Sequence, residues 1–183
     1  MCYYTDVLGQ GAVLVAQLIT FMAIVLSIGF WIWIYKKHNV DLARYIVPIA
    51  LWIAFGTLDI MITARGAIGN PMLEENPLTR EVLLLTGGYG PAIASVLWIS
   101  LWVFIVLIIN KKLKPRLATF ISLAVFYSLA FGHFLGFSSW FDPLCTELSW
   151  VFLQGWPILI PGIILMGFML ATLHLLAVGK RKL

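Results

Sequence analysis

The chain has 183 residues, 62% hydrophobic and only 11% charged, with a formal net charge of +4. Soluble domains carry about 25% charged residues, so this composition excludes a water-exposed globule and makes lipid the solvent. The positive charge falls in short clusters between apolar runs rather than on one face, which excludes a nucleic-acid-binding patch.

A helix needs about 20 mostly apolar residues to cross a bilayer core. Five runs meet that length: 7–35, 45–64, 82–110, 117–141 and 148–179. They predict transmembrane helices over 11–35, 45–64, 90–110, 117–138 and 156–178, because an open sheet would leave backbone donors unpaired in hydrocarbon. The expected fold is therefore all-α, a five-transmembrane-helix bundle forming a single membrane domain over 1–183.

The first span carries Gln17 and ends in Lys36-Lys37, the ring-rich Trp31, Trp33 and Tyr35 marking a membrane interface. It has no basic n-region and is too long for a signal-peptide core, so we expect it to be retained. Cys2 lacks the upstream signal of a lipoprotein cysteine. The second span holds Asp59, the only acidic residue within any of the five runs. Trp52, Gly56, Asp59 and Thr63 recur at helical spacing and share one face, whose small and polar character points inward.

The connection 65–90 is the longest between spans, and long loops usually carry structure or function. Asn76 can cap a short helix that has Pro77 at its first position and continues over 78–85. Glu74 can pair with Arg80, and Glu75 lies beside it. Thr86-Gly87-Gly88-Tyr89-Gly90 resembles the filter of potassium channels, but Gly87 stands where the filter has Val and Pro91 follows, so a glycine-rich turn accounts for it better. The fourth span carries Ala124, Ser128, Gly132 and Gly136 at spacing four, a row that lets another helix approach closely. It also carries His133. Gly136-Phe137-Ser138-Ser139 is an incomplete version of the serine motif of intramembrane proteases, with no second-helix histidine opposite. Pro157 and Pro161 predict a kink at the start of the fifth span, and His174 falls near its far end.

Charge sets the expected topology. Lys36, Lys37 and Arg44 follow span 1; Lys111, Lys112, Lys114 and Arg116 follow span 3; Lys180, Arg181 and Lys182 follow span 5. The positive-inside rule then puts the N-terminus outside and the C-terminus inside, with the 65–90 loop outside. Cys2 and Cys145 both fall on the outer side, where a disulfide between them competes with two unpaired thiols. With this orientation Asp59, Thr63, His133 and Gln17 fall at similar depth, within about 8 Å of the outer boundary at the helical rise. They are the candidate binding residues, with Glu74, Glu75 and Arg80 expected to close over them. No Cys/His cluster with metal spacing occurs, and no metal or other cofactor is predicted.

The segment 59–112 resembles an uncharacterised family of small prokaryotic integral membrane proteins. That family has a D-x3-T motif ending one helix, a glycine-containing turn, then E-x-N-P-L-x-R and an apolar span. The matching residues are Asp59, Thr63, Glu74, Asn76, Pro77, Leu78 and Arg80. Many members carry a Lys in the following span, and this chain has none between Glu81 and Lys111. The resemblance implies a shared structural unit and, because the family has no assigned activity, no reaction.

The reading that best fits these features is a non-catalytic, multi-pass protein of the cell membrane, an accessory or scaffold subunit. Its expected partners are the bilayer and other membrane subunits or further copies of itself, with no nucleic acid. An alternative is a small transporter or binding protein handling a proton, ion or polar solute at Asp59 and His133, since a carboxylate beside an imidazole can relay a proton or ligate a metal. A second alternative is a lipid-modifying membrane enzyme, which lacks a second deep carboxylate.

Overall fold

In hydrocarbon every backbone N–H and C=O must be paired within its own segment, so long apolar runs fold as helices. The computed structural model describes residues 10–37, 42–67, 77–86, 89–139 and 144–179, and every regular element among them is helical. They are α1 (Gln10–Lys37), a 3-10 turn (Leu42–Tyr45), α2 (Ile46–Ala67), α3 (Pro77–Thr86), α4 (Gly90–Lys112), α5 (Pro115–Ser139) and α6 (Leu144–Gly179). Five of these contain segments long and apolar enough to cross a membrane: Gln17–Lys37, Ala43–Thr63, Gly90–Lys112, Pro115–Ser138 and Leu159–Val178. The protein is an all-α, multi-pass membrane protein.

Turn chemistry explains the helix ends. Pro77 opens α3 and Pro115 opens α5, positions where the missing N–H of proline costs nothing. Lys111 and Lys112 lie in the last turn of α4, where positive charge complements the helix dipole. Leu113 leaves the helix extended, its N–H still bonded to the Ile109 carbonyl at 3.0 Å. Between α3 and α4 the backbone approach is tight: a Cβ on Gly90 would lie 2.8 Å from Leu83 Cδ2 and 2.9 Å from its Cα. Leu83 is buried in that contact, while Leu84 and Leu85 on the same short helix are exposed.

α5 is the hub of the bundle. It packs most extensively on α6 and α2 and more lightly on α4, while α1 packs on α4 and, less, on α2. The four helices α1, α2, α5 and α4 thus close a ring, and α6 lies outside it, principally against α5. Lipid tails are as apolar as Leu, so close packing and interhelical hydrogen bonds drive this assembly rather than burial from water. Phe126 of α5 is 1% exposed and meets the rings of Trp52 and Tyr45 at centroid distances of 5.7 and 5.9 Å.

The row Ala124, Ser128, Gly132, Gly136 is an internal packing surface. A Cβ on Gly167 of α6 would collide with Ser128 Oγ and lie 2.5 Å from the Ala124 carbonyl oxygen, so the two backbones touch. A Cβ on Gly132 would meet Ile163 of α6 at 3.7 Å, but one on Gly136 would meet Asp59 of α2. Steps of four residues advance about 40° each around a helix. Three steps turn the row by about 120°, from α6 to α2.

Two expectations change. α6 starts at Leu144, not near 156, because no glycine or proline interrupts the chain from 144 to 154, and both Pro157 and Pro161 lie within the helix. Trp31 and Tyr35 turn into the bundle rather than away from it. Trp31 Nε1 donates to Ser100 Oγ at 3.3 Å, and the Tyr35 hydroxyl donates to the Val103 carbonyl at 3.3 Å, both across to α4. Trp33 alone of the three is exposed, with Lys37 Nζ 5.5 Å from its ring centroid.

Candidate functional site

α2 delivers Asp59 through the face that also holds Trp52, Gly56 and Thr63. Trp52, Gly56 and Thr63 are buried and Asp59 is half-buried. Opposite, α5 delivers His133. His133 Nδ1 and Asp59 Oδ2 are 2.8 Å apart, with side-chain exposures of 14% and 19%. Two glycines make room for this contact. A Cβ on Gly136 would sit 2.8 Å from both Asp59 carboxylate oxygens, and one on Gly56 would rest at 3.5 Å against the imidazole.

α4 adds the third member. Trp98 Nε1 donates to His133 Nε2 at 3.2 Å. An indole N–H can only donate, so Nε2 must be the bare, accepting nitrogen of the ring. The neutral imidazole then carries its proton on Nδ1 and donates it to Asp59, a tautomer assigned from the partners. The chain runs Trp98, His133, Asp59 across three helices and occupies both ring nitrogens. In that geometry the imidazole has no lone pair for a metal. Accepting a proton at Nε2 would set N–H against N–H and break the bond from Trp98.

The other predicted residues lie around this chain. Gln17 Nε2 donates to the Met61 carbonyl at 3.1 Å, tying α1 to α2 near the level of Asp59 through the backbone rather than the carboxylate. Thr63 is buried one turn beyond Asp59. Arg80 lies half-buried on α3, which packs on α4. Glu74, Glu75, Asn76 and Cys2 lie outside the described residues, as do the side chains of Pro77 and Cys145, so the Glu74–Arg80 pair and the candidate disulfide fall outside them too. His174 Nδ1 is 2.8 Å from the Tyr127 hydroxyl, a bond between α6 and α5. Among the described residues no group of three His, Cys, Asp or Glu is placed to hold a metal ion.

Beside His133 lies a cleft of about 290 Å³ between α1, α2, α4 and α5, walled mainly by Ile and Trp side chains. Ligand pockets typically begin near this volume. Sequence reading missed both this cleft and Trp98. Mid-span tryptophan was the available signal for Trp98, because a buried indole N–H usually finds a partner. The cleft had no comparable signal, since apolar wall residues read like any lipid-facing ones.

No family model, curated protein or solved structure matches this chain.

Proposed function

We propose that the protein is a non-catalytic accessory or scaffold subunit of the cell membrane. It associates with other membrane proteins through lipid-facing helices, and Asp59, His133 and Trp98 serve as a clasp that orders its bundle. The observation that carries this reading is the saturation of His133: one nitrogen faces Asp59 and the other takes the Trp98 N–H. A proton relay or metal site needs an imidazole nitrogen open to its cargo, and an acid–base catalyst needs one within reach of substrate. α6 supports the same reading, since it packs principally on α5 and presents Ile164, Leu165, Met169 and Leu176 outward.

The test is to purify the protein from its native membrane in mild detergent, with a photo-crosslinking residue at Leu165. A fixed-stoichiometry complex cross-linked through that position is the expected result. The proton or solute reading replaces it if the lone protein, reconstituted in vesicles, carries flux that Asp59→Asn abolishes. The resemblance of 59–112 to a family of small membrane proteins fits a shared clasp-and-turn unit and assigns no chemistry.

A further inference from the structure

The cleft has the dimensions of a slot for one hydrocarbon chain. Its wall on α1 runs from Ile24 to Tyr35, a length of about 16 Å at the helical rise. Spread over that length, a volume of about 290 Å³ makes a narrow slot. A helix with side chains is at least about 10 Å wide, or about 80 Å² in section, so a partner helix does not fit.

Its chemistry is apolar along nearly the whole length. The polar atoms of Trp31, Tyr35, Trp98 and His133 are turned to partners inside the protein, while Trp52 adds an indole N–H and Thr57 a hydroxyl. A bound water needs two to four polar partners, and a polar solute needs more. The wall offers an alkyl chain dispersion contacts instead.

The mouth shows where such a chain enters. Ile32 of α1 and Ile46 of α2 both line the cleft and are 41% and 67% exposed, so it opens sideways between these helices. That opening lies at the basic end of the bundle. Lys36 and Lys37 end α1 and Arg44 precedes α2, all exposed. The turn between α4 and α5 brings exposed Lys111, Lys112, Lys114 and Arg116 to the same end, held there by the Tyr45 hydroxyl bond to Asn110 Oδ1 at 3.3 Å. Clustered cations at a membrane surface attract anionic headgroups.

We infer that the cleft binds one acyl chain of an anionic membrane phospholipid, with its phosphate among Lys36, Lys37 and Arg44 and its tail running toward Gly56 and His133. This site is separate from any contact made through α6. The lipid braces the α1–α4 pair against the α2–α5 pair.

The experiment strips lipid from the detergent-purified protein and adds back phosphatidylglycerol or phosphatidylcholine with identical chains. Bound lipid is counted by native mass spectrometry. The expected result is one tightly held phosphatidylglycerol per chain, with affinity at least about tenfold above phosphatidylcholine. Lys36→Gln/Lys37→Gln should bring the two lipids to parity, and Ile28→Trp, which fills the slot, should abolish retention of both. Ile99→Phe is the smaller filler if Ile28→Trp does not fold. Equal retention of both lipids by the unaltered protein overturns the headgroup assignment. Retention that survives a folded slot-filling variant overturns the site.

Discussion

At the residue scale, the contact between Asp59 and His133 depends on glycine as much as on the two side chains. Gly136→Ala would place a methyl 2.8 Å from both carboxylate oxygens, while a Cβ on Gly162 of α6 meets nothing within 4 Å. Gly136→Ala should therefore cost about 1–3 kcal/mol by overpacking, whereas Gly162→Ala should be neutral or stabilise by up to about 1 kcal/mol through helix propensity. Denaturation of the two variants in the same detergent compares them directly. Asp59 gives a second contrast. Asp59→Asn keeps an acceptor for the His133 N–H, but Asp59→Leu leaves that donor unpaired. Interhelical bonds in lipid average about 0.6 kcal/mol and reach about 1.7 kcal/mol, so a clasp predicts a small loss for Asn and a larger one for Leu. Equal loss of stability in both variants would contradict a hydrogen-bonding clasp.

At the element scale, α6 is the most separable part of the molecule. Its joint to α5 includes the Gly167 contact with Ala124 and Ser128, the Tyr127–His174 bond and the Phe120–Phe168 ring pair at 5.6 Å. Gly167→Val should loosen this helix without disturbing the ring of four, because the atoms nearest a Cβ there, from Ala124 and Ser128, all belong to α5. Hydrogen exchange should rise along α6 while α1, α2 and α4 keep their protection. Uniform loss of protection would show instead that α6 is integral to the core. The length of α6 matters as well. Its 36 residues span about 54 Å, well beyond a hydrocarbon core of about 30 Å.

At the scale of the whole molecule, the ends of α1 and α4 and the starts of α2 and α5 gather the exposed cations on one side. By the charge rule we expect that side in the cytoplasm. In a background with Cys2 and Cys145 replaced by Ser, Lys112→Cys should resist a membrane-impermeant thiol reagent in intact cells and react once the membrane is opened. Reaction in intact cells would reverse the proposed topology.

Composition and periodicity by themselves determined the solvent, the five spans and the short helix opened by Pro77, because each depends on local requirements of chain in lipid. They also singled out Asp59, since a lone carboxylate in an apolar run is costly wherever the fold puts it. The row from Ala124 to Gly136 was legible as a close-packing surface, but the sequence could not say that it turns from α6 to Asp59. Only tertiary structure decided that Trp98 occupies the second nitrogen of His133, that Gln17 bonds to backbone, and that four apolar helices leave a narrow cleft between them. The two bonds join residues 35 and 44 positions apart, and the cleft wall draws on residues from Ile24 to His133. Such contacts follow from how helices pack against one another, and no local pattern encodes that geometry.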